Sequence, residues 1–351
     1  MSKKNLAVLF GGVSSEHEVS LSSAYNVLSN LNKDKYSIYP VGITKKGEWR
    51  YFDGDYKKIL ENDCWEESVS CYISPDRVNG GLFIEGGKHV KIDVAFPVLH
   101  GKNGEDGTIQ GLFELAAIPY VGCNLISSAN CMDKIITKIL LEAGGIPTTP
   151  FVHFTKEDMG HFSEIAHEVD EKLTYPVFVK PSNAGSSVGV SKVTRPSDLL
   201  KAVELALESD SRILIETGIV AKEVECAVLG NYATVTGIPG EVDSGVEFYD
   251  YEAKYKTNTS TTYIPARISV DTLEEIQTLA KRAFALLGCS GLSRVDFFVN
   301  DDGILLNEIN TLPGFTPISM YPKMMGAAGV KYSNLLDRLI ELAEEREFYG
   351  Q

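Results

Sequence analysis

The chain has 351 residues, 44% of them hydrophobic and 23% charged, and 48 Asp and Glu against 33 Lys and Arg give a formal net charge of -15. That composition excludes a disordered chain, a collagen and a coiled coil, and the length suits about two or three domains. An acidic chain of this kind is a poor partner for a nucleic-acid backbone, and it binds a small anion only where Lys, Arg or a metal overrides the global field.

The six cysteines, at 64, 71, 123, 131, 226 and 289, form no C-x-x-C pair and read as reduced thiols in the cytoplasm. No apolar run approaches 18 residues, so no membrane insertion is expected, and the start of the chain has too short an apolar stretch for a signal peptide.

In chain order, Leu6 to Phe10 predicts a strand, Gly11-Gly12 breaks it, and a helix follows with Val19, Ala24, Val27, Leu28 and Leu31 on one broad face. Ser37 to Ile43 reads as a second strand, residues 45–90 as irregular hairpins, Ile92 to Leu99 as a buried strand and Thr108 to Ala117 as a helix. This alternation suggests a small parallel sheet covered on both faces. A helix from Asp133 to Ala143, strands at 177–180 and 188–193 and a helix at 196–207 form a second region. Strands at 213–216 and 223–229 with helices at 271–287 and 333–345 form a third. The boundaries are placed near 124 and 212, giving regions 1–124, 125–212 and 213–351.

Five segments carry chemistry. In Phe10-Gly-Gly-Val-Ser-Ser-Glu16, small residues lead from a strand to a helix start, where the helix dipole favours a charged Glu16 able to hold an amine. The plainer reading is a capping acid. Leu99-His-Gly-Lys-Asn-Gly-Glu-Asp-Gly107 follows a strand, where parallel sheets bind ligands, or else is a charged turn around a satisfied His100. Val179-Lys-Pro-Ser-Asn-Ala-Gly-Ser-Ser-Val-Gly189 offers N–H groups, the Ser186 and Ser187 hydroxyls and Lys180 to phosphate oxygens, although it is no P-loop.

Ser293 to Asn310 reads as a hairpin turning at Asp301-Asp-Gly303. A plain two-residue loop puts Asp296 and Glu308 on opposite faces. A three-residue loop ending in glycine, with its bulge at the turn, sets them opposite each other with Asn310 on the same face, a set of oxygen ligands suited to Mg2+ on phosphates. Phe248-Tyr-Asp-Tyr-Glu-Ala-Lys-Tyr255 is either a polar aromatic loop or a lid over a site.

Together the five segments resemble the D-alanine–D-alanine ligases of the ATP-grasp group, in the family's order and over about residues 5–345. The resemblance implies a three-domain α/β ATP-grasp fold, with ATP held between the central and C-terminal domains. It implies ligation of two D-alanines through a D-alanyl phosphate, with release of ADP and phosphate, for peptidoglycan precursors, and it suggests a homodimer. Carried over residue by residue, it gives Glu16 to the first substrate's ammonium, and Glu16, Ser186 and Tyr255 to a hydrogen-bonded triad. His100 lies beside the substrates, and Lys134, Lys180 and the Ser186-Ser187 loop serve the phosphates. Glu216, Thr217 and Ile219 face adenine, Glu223 the ribose, and Lys254 the γ-phosphate. Asp296, Glu308 and Asn310 hold two Mg2+ ions, which Mn2+ can replace. Arg294 and the Gly314 N–H form an oxyanion hole, and Ser319 binds the second carboxylate.

The chain departs from the family pattern at Thr316-Pro317-Ile318-Ser319, where a histidine is missing, and at Thr217-Gly218. Tyr255 argues against a D-lactate ligase, while Pro317-Ile318 keeps a D-Ala–D-Ser ligase open as the alternative. A biotin-dependent carboxylase lacks a recognisable biotin site, and the intact set Lys180, Arg294, Asp296, Glu308 and Asn310 speaks against a non-enzymatic nucleotide sensor.

Overall fold

The computed structural model describes residues 3–183, 185, 188–243 and 261–346. Ser186, Ser187, Lys254 and Tyr255, singled out in the sequence, lie outside the described residues.

The first of three sheets contains β1 (Lys4–Gly11), β2 (Tyr36–Ile43), β3 (Trp49–Tyr51), β4 (Val69–Ser74), β5 (Gly81–Ile84), β6 (Lys88–Val90) and β7 (Val94–Leu99), in the order β6-β5-β4-β3-β2-β1-β7. Only β2, β1 and β7 are parallel. Residues 45–90, expected as irregular hairpins, extend the sheet with antiparallel strands. In β1, Leu6, Val8 and Phe10 enter one core while Ala7 and Leu9 enter another, the two-residue alternation of a strand buried on both faces. Helix α1 (His17–Asn30) and the single turn α2 (Lys57–Leu60) pack on the first face, and α3 (Thr108–Ala116) on the second.

Helices α4 (Leu125–Met132) and α5 (Lys134–Ala143) lead into an antiparallel sheet of β8 (Phe151–Thr155), β9 (Val177–Pro181), β10 (Ser191–Val193) and β11 (Arg212–Thr217), ordered β10-β9-β11-β8. It has its own core with α6 (Phe162–Lys172) and α7 (Leu199–Leu207). The sequence reading starts its third region at 213, but Ile213 and Ile215 fill the same core as Val177 and Val179, and β11 pairs with β8 and β9. The second sheet therefore runs to Thr217.

The third sheet contains β12 (Lys222–Gly230), β13 (Thr234–Thr236), β14 (Gly240–Asp243), β15 (Thr261–Tyr263), β16 (Gly291–Asn300) and β17 (Gly303–Asn310), ordered β15-β14-β12-β16-β17 with β13 beside β12. Helix α8 (Val270–Leu286) covers one face. On the other, α9 (Met320–Ala327) and α10 (Tyr332–Glu345) share a core with β1 and β7, so the first and third sheets are joined by apolar packing.

Asp133 ties the second region together. Its Oδ1 accepts from the Ile135 and Ile136 N–H groups at 3.1 and 3.0 Å, capping α5, and from the Ser182 hydroxyl at 2.6 Å after β9, while Oδ2 pairs with Arg212 at the start of β11. Asp133→Ala is expected to reduce the unfolding free energy by about 2 kcal/mol, the upper range for a lost cap. A shift of the urea midpoint to lower concentration checks this, and an unchanged midpoint contradicts it.

Candidate active site

The three sheets enclose a cavity of about 660 Å3. Glu16, His100 and Glu105 line it from the first sheet's loops, Lys134 from α5, Lys180 and Glu216 from the second sheet, and Arg294, Asp296, Glu308, Asn310 and Gly314 from the third.

Glu16 precedes α1, but its carboxylate does not cap the helix, which removes the plainer reading of that acid. It turns instead toward the loop after β7 and the loop after β9. A Cβ on Gly101 would come within 2.7 Å of Glu16 Oε2, and one on Gly185 within 3.4 Å. Ser20 fixes the floor beneath it, accepting from Gly11 N–H at 2.8 Å and donating to the Val98 carbonyl.

His100 is buried, and both ring nitrogens are committed within the protein. Nδ1 lies 3.1 Å from the Leu312 carbonyl, which can only accept, so Nδ1 carries the proton. Nε2 then accepts from Ser23 Oγ at 3.0 Å, and that oxygen accepts from the Phe315 N–H at 3.2 Å. This chain joins α1 to the loop that carries Gly314. Burial holds the imidazole below its usual range despite the pull of Glu16. Burial likewise pushes the Glu105 carboxyl up, with the charge of Glu16 adding to the effect.

On β9 and β11, Val177, Val179, Ile213 and Ile215 face the core, which turns Phe178, Lys180, Leu214 and Glu216 to the other side. Lys180 pairs with Glu216 Oε1. The second oxygen receives Lys138 Nζ and the Thr149 hydroxyl, each at 2.9 Å. Burial alone would raise the Glu216 carboxyl, but the two lysines outweigh it and hold it well below the carboxylate range. Desolvation pushes Lys134 down, opposed by Glu308. At the end of β11, the Thr217 N–H is bonded to the Pro150 carbonyl at 3.1 Å and the Gly218 N–H to the Pro176 carbonyl at 2.7 Å, while Ile219 and Glu223 line the cavity.

The third sheet presents two rungs of polar side chains. Glu225, Asp296 and Glu308 lie side by side across β12, β16 and β17, and Arg294 pairs with Asn310 on the next rung. Arg294 forks onto Asp296 at 2.7 and 2.6 Å and reaches Glu225 at 3.1 Å. Asn310 Nδ2 donates to Asp296 at 2.9 Å.

The register expected at Asp296 and Glu308 is present, but it arises differently. The turn is a two-residue loop, since Asn300 pairs with Gly303, and the bulge sits at Asn307, between Leu306 opposite Phe297 and Glu308 opposite Asp296. If the register of the turn ran on unbroken, Glu308 would stand opposite Val295, whose side chain is in the core.

Among the described residues, no group of three or more His, Cys, Asp or Glu side chains forms a ready metal cage. Asp296 and Glu308 with the Asn310 amide match the sparser oxygen set of Mg2+, which leaves places for phosphate oxygens. Ser319 stands beside Gly314, where a Cβ would come within 2.7 Å of the serine Oγ, and Thr316 holds that hydroxyl through its N–H at 3.0 Å and its Oγ1 at 2.8 Å.

The sequence reading passed over Lys138, Thr149 and Glu225. The available signals were the four-residue spacing of Lys134 and Lys138 on a helix and the two-residue spacing of Glu223 and Glu225 on a strand.

Sequence-family profiles described as D-ala D-ala ligase N-terminus and D-ala D-ala ligase C-terminus match residues 5–123 and 140–341. A D-alanine–D-alanine ligase of Acetivibrio thermocellus is 50% identical over 98% of this chain and 96% of its own length, and one of Caldicellulosiruptor bescii is 47% identical over 99% and 96%. Among solved structures, the VanG D-Ala:D-Ser ligase of Enterococcus faecalis superimposes with a TM-score of 0.90 at 44% identity, over 97% of this chain and 100% of that one. The D-alanine–D-alanine ligase of Coxiella burnetii gives 0.85 at 37% identity, over 99% and 95%.

The His100 arrangement has a pH consequence. The unfolded imidazole takes up a proton near 6.5 and the folded one only at lower pH. Its contribution to stability is therefore intact above 6.5 and lost as the pH falls. His100→Gln is expected to flatten the drop in thermal midpoint between pH 7 and pH 5, and an unaltered drop contradicts the neutral assignment.

Proposed function

This chain belongs to the D-alanine–D-alanine ligase family and is an ATP-dependent ligase of the ATP-grasp fold, and from that premise we propose how its own residues divide the work. The observation that carries the proposal is that Glu16, Lys180 and the two polar rungs of the third sheet face one cavity from three sheets.

A carboxylate is a poor electrophile. ATP therefore transfers its γ-phosphoryl group to the carboxylate of the first D-alanine, giving D-alanyl phosphate and ADP. The amine of the second D-alanine then attacks the carbonyl and phosphate leaves. Phosphoryl transfer asks the protein for positioning and charge neutralisation. Glu16 binds the ammonium of the first D-alanine, supported by a carboxylate not spent on its helix. Lys134 and Lys180 face the phosphates. Glu216 and the backbone at Thr217 and Ile219 border the adenine, and Glu223 takes the ribose. Lys254 adds a γ-phosphate contact, and Ser186 with Tyr255 and Glu16 forms a hydrogen-bonded triad, on the strength of the family motif.

Asp296, Glu308 and Asn310 would hold Mg2+, which bound there supplies charge neutralisation to the phosphates. Arg294 and the Gly314 N–H donate to the oxyanion of the tetrahedral intermediate, where preorganised donors are worth most. Ser319 takes the carboxylate of the second D-alanine, and Thr316 sets the direction of its hydroxyl. His100 shapes the pocket by holding the Gly314 loop against α1.

The three sheets correspond in this reading to three domains, with the nucleotide between the second and third. A homodimer in the cytoplasm completes the proposal, supported by the family resemblance and by six cysteines without a disulfide. No helix among the described residues is long and apolar enough to cross a membrane.

Phosphate release from ATP with Mg2+ and D-alanine alone, with products identified by mass, tests the reading. D-alanyl-D-alanine as the dominant product supports it. D-alanyl-D-serine dominating when both amino acids are offered would move the chain to the mixed ligases, the alternative that Pro317-Ile318 leaves open.

Glu308→Gln is expected to abolish turnover with little change in thermal midpoint, because Glu308 faces the cavity rather than the core. Normal turnover would remove the metal assignment. Tyr255→Phe is expected to lower kcat more than ATP affinity, and an unchanged kcat would take Tyr255 out of the site.

A further inference from the structure

The division of labour above gives no task to Lys138. Its side chain is 3% exposed, one helical turn beyond Lys134 on α5, and it points to Glu216 from the side away from the cavity. A lysine so placed is costly to keep charged unless it is fully paired. Its ammonium is paired on several sides. It meets Glu216 Oε2 at 2.9 Å, donates to Thr149 Oγ1 and approaches the Thr149 carbonyl at 3.4 Å, and the Thr149 hydroxyl donates to the same Glu216 oxygen. The other oxygen, Oε1, belongs to Lys180, whose side chain is 17% exposed and reaches the cavity. From interior to cavity the charges therefore run Lys138, Glu216, Lys180.

We propose that Lys138 is the standing counterion of Glu216, a positioning residue that lets Lys180 leave Glu216 for the phosphates of ATP. Each carboxylate oxygen has its own cation. When Lys180 turns to the triphosphate, Oε1 loses its partner, but Glu216 keeps Lys138 and Thr149 and is not stranded as an uncompensated buried charge. Without Lys138, the same movement would strand it, and Lys180 would stay pinned. The row also has one positive charge to spare, which a phosphate entering the cavity meets. The inference rests on the reading of Lys180 as a phosphate contact.

The test is ATP affinity of the full-length enzyme, measured by calorimetry with Mg2+ from pH 8 to pH 6, with thermal unfolding as the check on folding. Lys138→Met is expected to weaken ATP binding at pH 8 by about tenfold or more, the factor for one charge-assisted interaction, while kcat at saturating ATP changes much less. The pH slope identifies the cause. In the wild type, the two lysines keep Glu216 charged and Mg2+ keeps the triphosphate ionised over this range, so ATP binding is expected to stay nearly level from pH 8 to pH 6. In Lys138→Met, Glu216 has lost one of the cations that hold its proton off, so acid neutralises it, releases Lys180 and strengthens binding. Loss of a merely structural lysine would not create that rise.

Lys138→Arg keeps the charge and is expected to restore binding and slope. Thr149→Val keeps every charge but loosens the hold of Lys138, and it reports the same slope with a smaller loss should Lys138→Met not fold. Wild-type affinity and slope in a folded Lys138→Met, or in Thr149→Val if only that variant folds, overturns the counterion role. Lys180→Met separates the two layers. If it weakens ATP binding while Lys138→Met does not, only the counterion role fails. If Lys180→Met binds ATP normally, the phosphate reading fails and the counterion role goes with it.

Discussion

Charges taken out of water must be paired, and the architecture around the cavity is organised by that requirement. Glu216 is shared by two lysines, Asp296 by Arg294 and Asn310, and Arg294 in turn by Asp296 and Glu225. Each of these side chains comes from a strand or helix whose opposite face is committed to an apolar core, so the backbone has little freedom to relax around an unpaired charge. The pairs are interlocked, so in the proposed reading a substrate carrying several negative charges would enter by exchanging partners rather than by meeting bare ions. Pairing of this kind holds groups ready at low cost, which is what electrostatic preorganisation requires.

The cores divide the molecule unevenly. The first and third sheets share one through α9 and α10, while the second sheet has its own. Glu16, proposed to bind the first substrate, and the two rungs of the third sheet are thus carried by elements that share one apolar assembly. The His100–Ser23–Phe315 chain sits at that seam and fixes the Gly314 loop relative to α1. Lys180 and Glu216 approach from the sheet with the separate core. In the proposed reading, the groups for the amino acids are set against each other by packing and those for the nucleotide by charge.

Much of this was legible in the sequence because it is local. Strand periods placed β1, β2, β7, β12, β16 and β17, and four of the five segments border the cavity that the sheets enclose, the fifth, at 248–255, lying outside the described residues. What was not legible is tertiary. A strand such as β11 reads the same whether it closes one sheet or opens the next, and only the shared core of Ile213 and Ile215 with Val177 and Val179 decides it. The hairpin reading reached the right partners for Asp296 from the wrong bulge, since pairing constrains how many residues are extra and not where the extra one sits. Asn307, within the strand, does the work assigned to Gly303 at the turn. Lys138 and Glu225 went unremarked, because nothing in a sequence marks a charged residue as buried until its partner is known.

The most direct test of the account is a crystal structure of the enzyme with Mg2+ and a non-hydrolysable ATP analogue. The account predicts the nucleotide between the second and third sheets, its phosphates against Lys134 and Lys180, the metal on Asp296, Glu308 and Asn310, and Lys138 still on Glu216. A nucleotide bound elsewhere, or phosphates in that cavity with Lys180 still paired to Glu216, would contradict it.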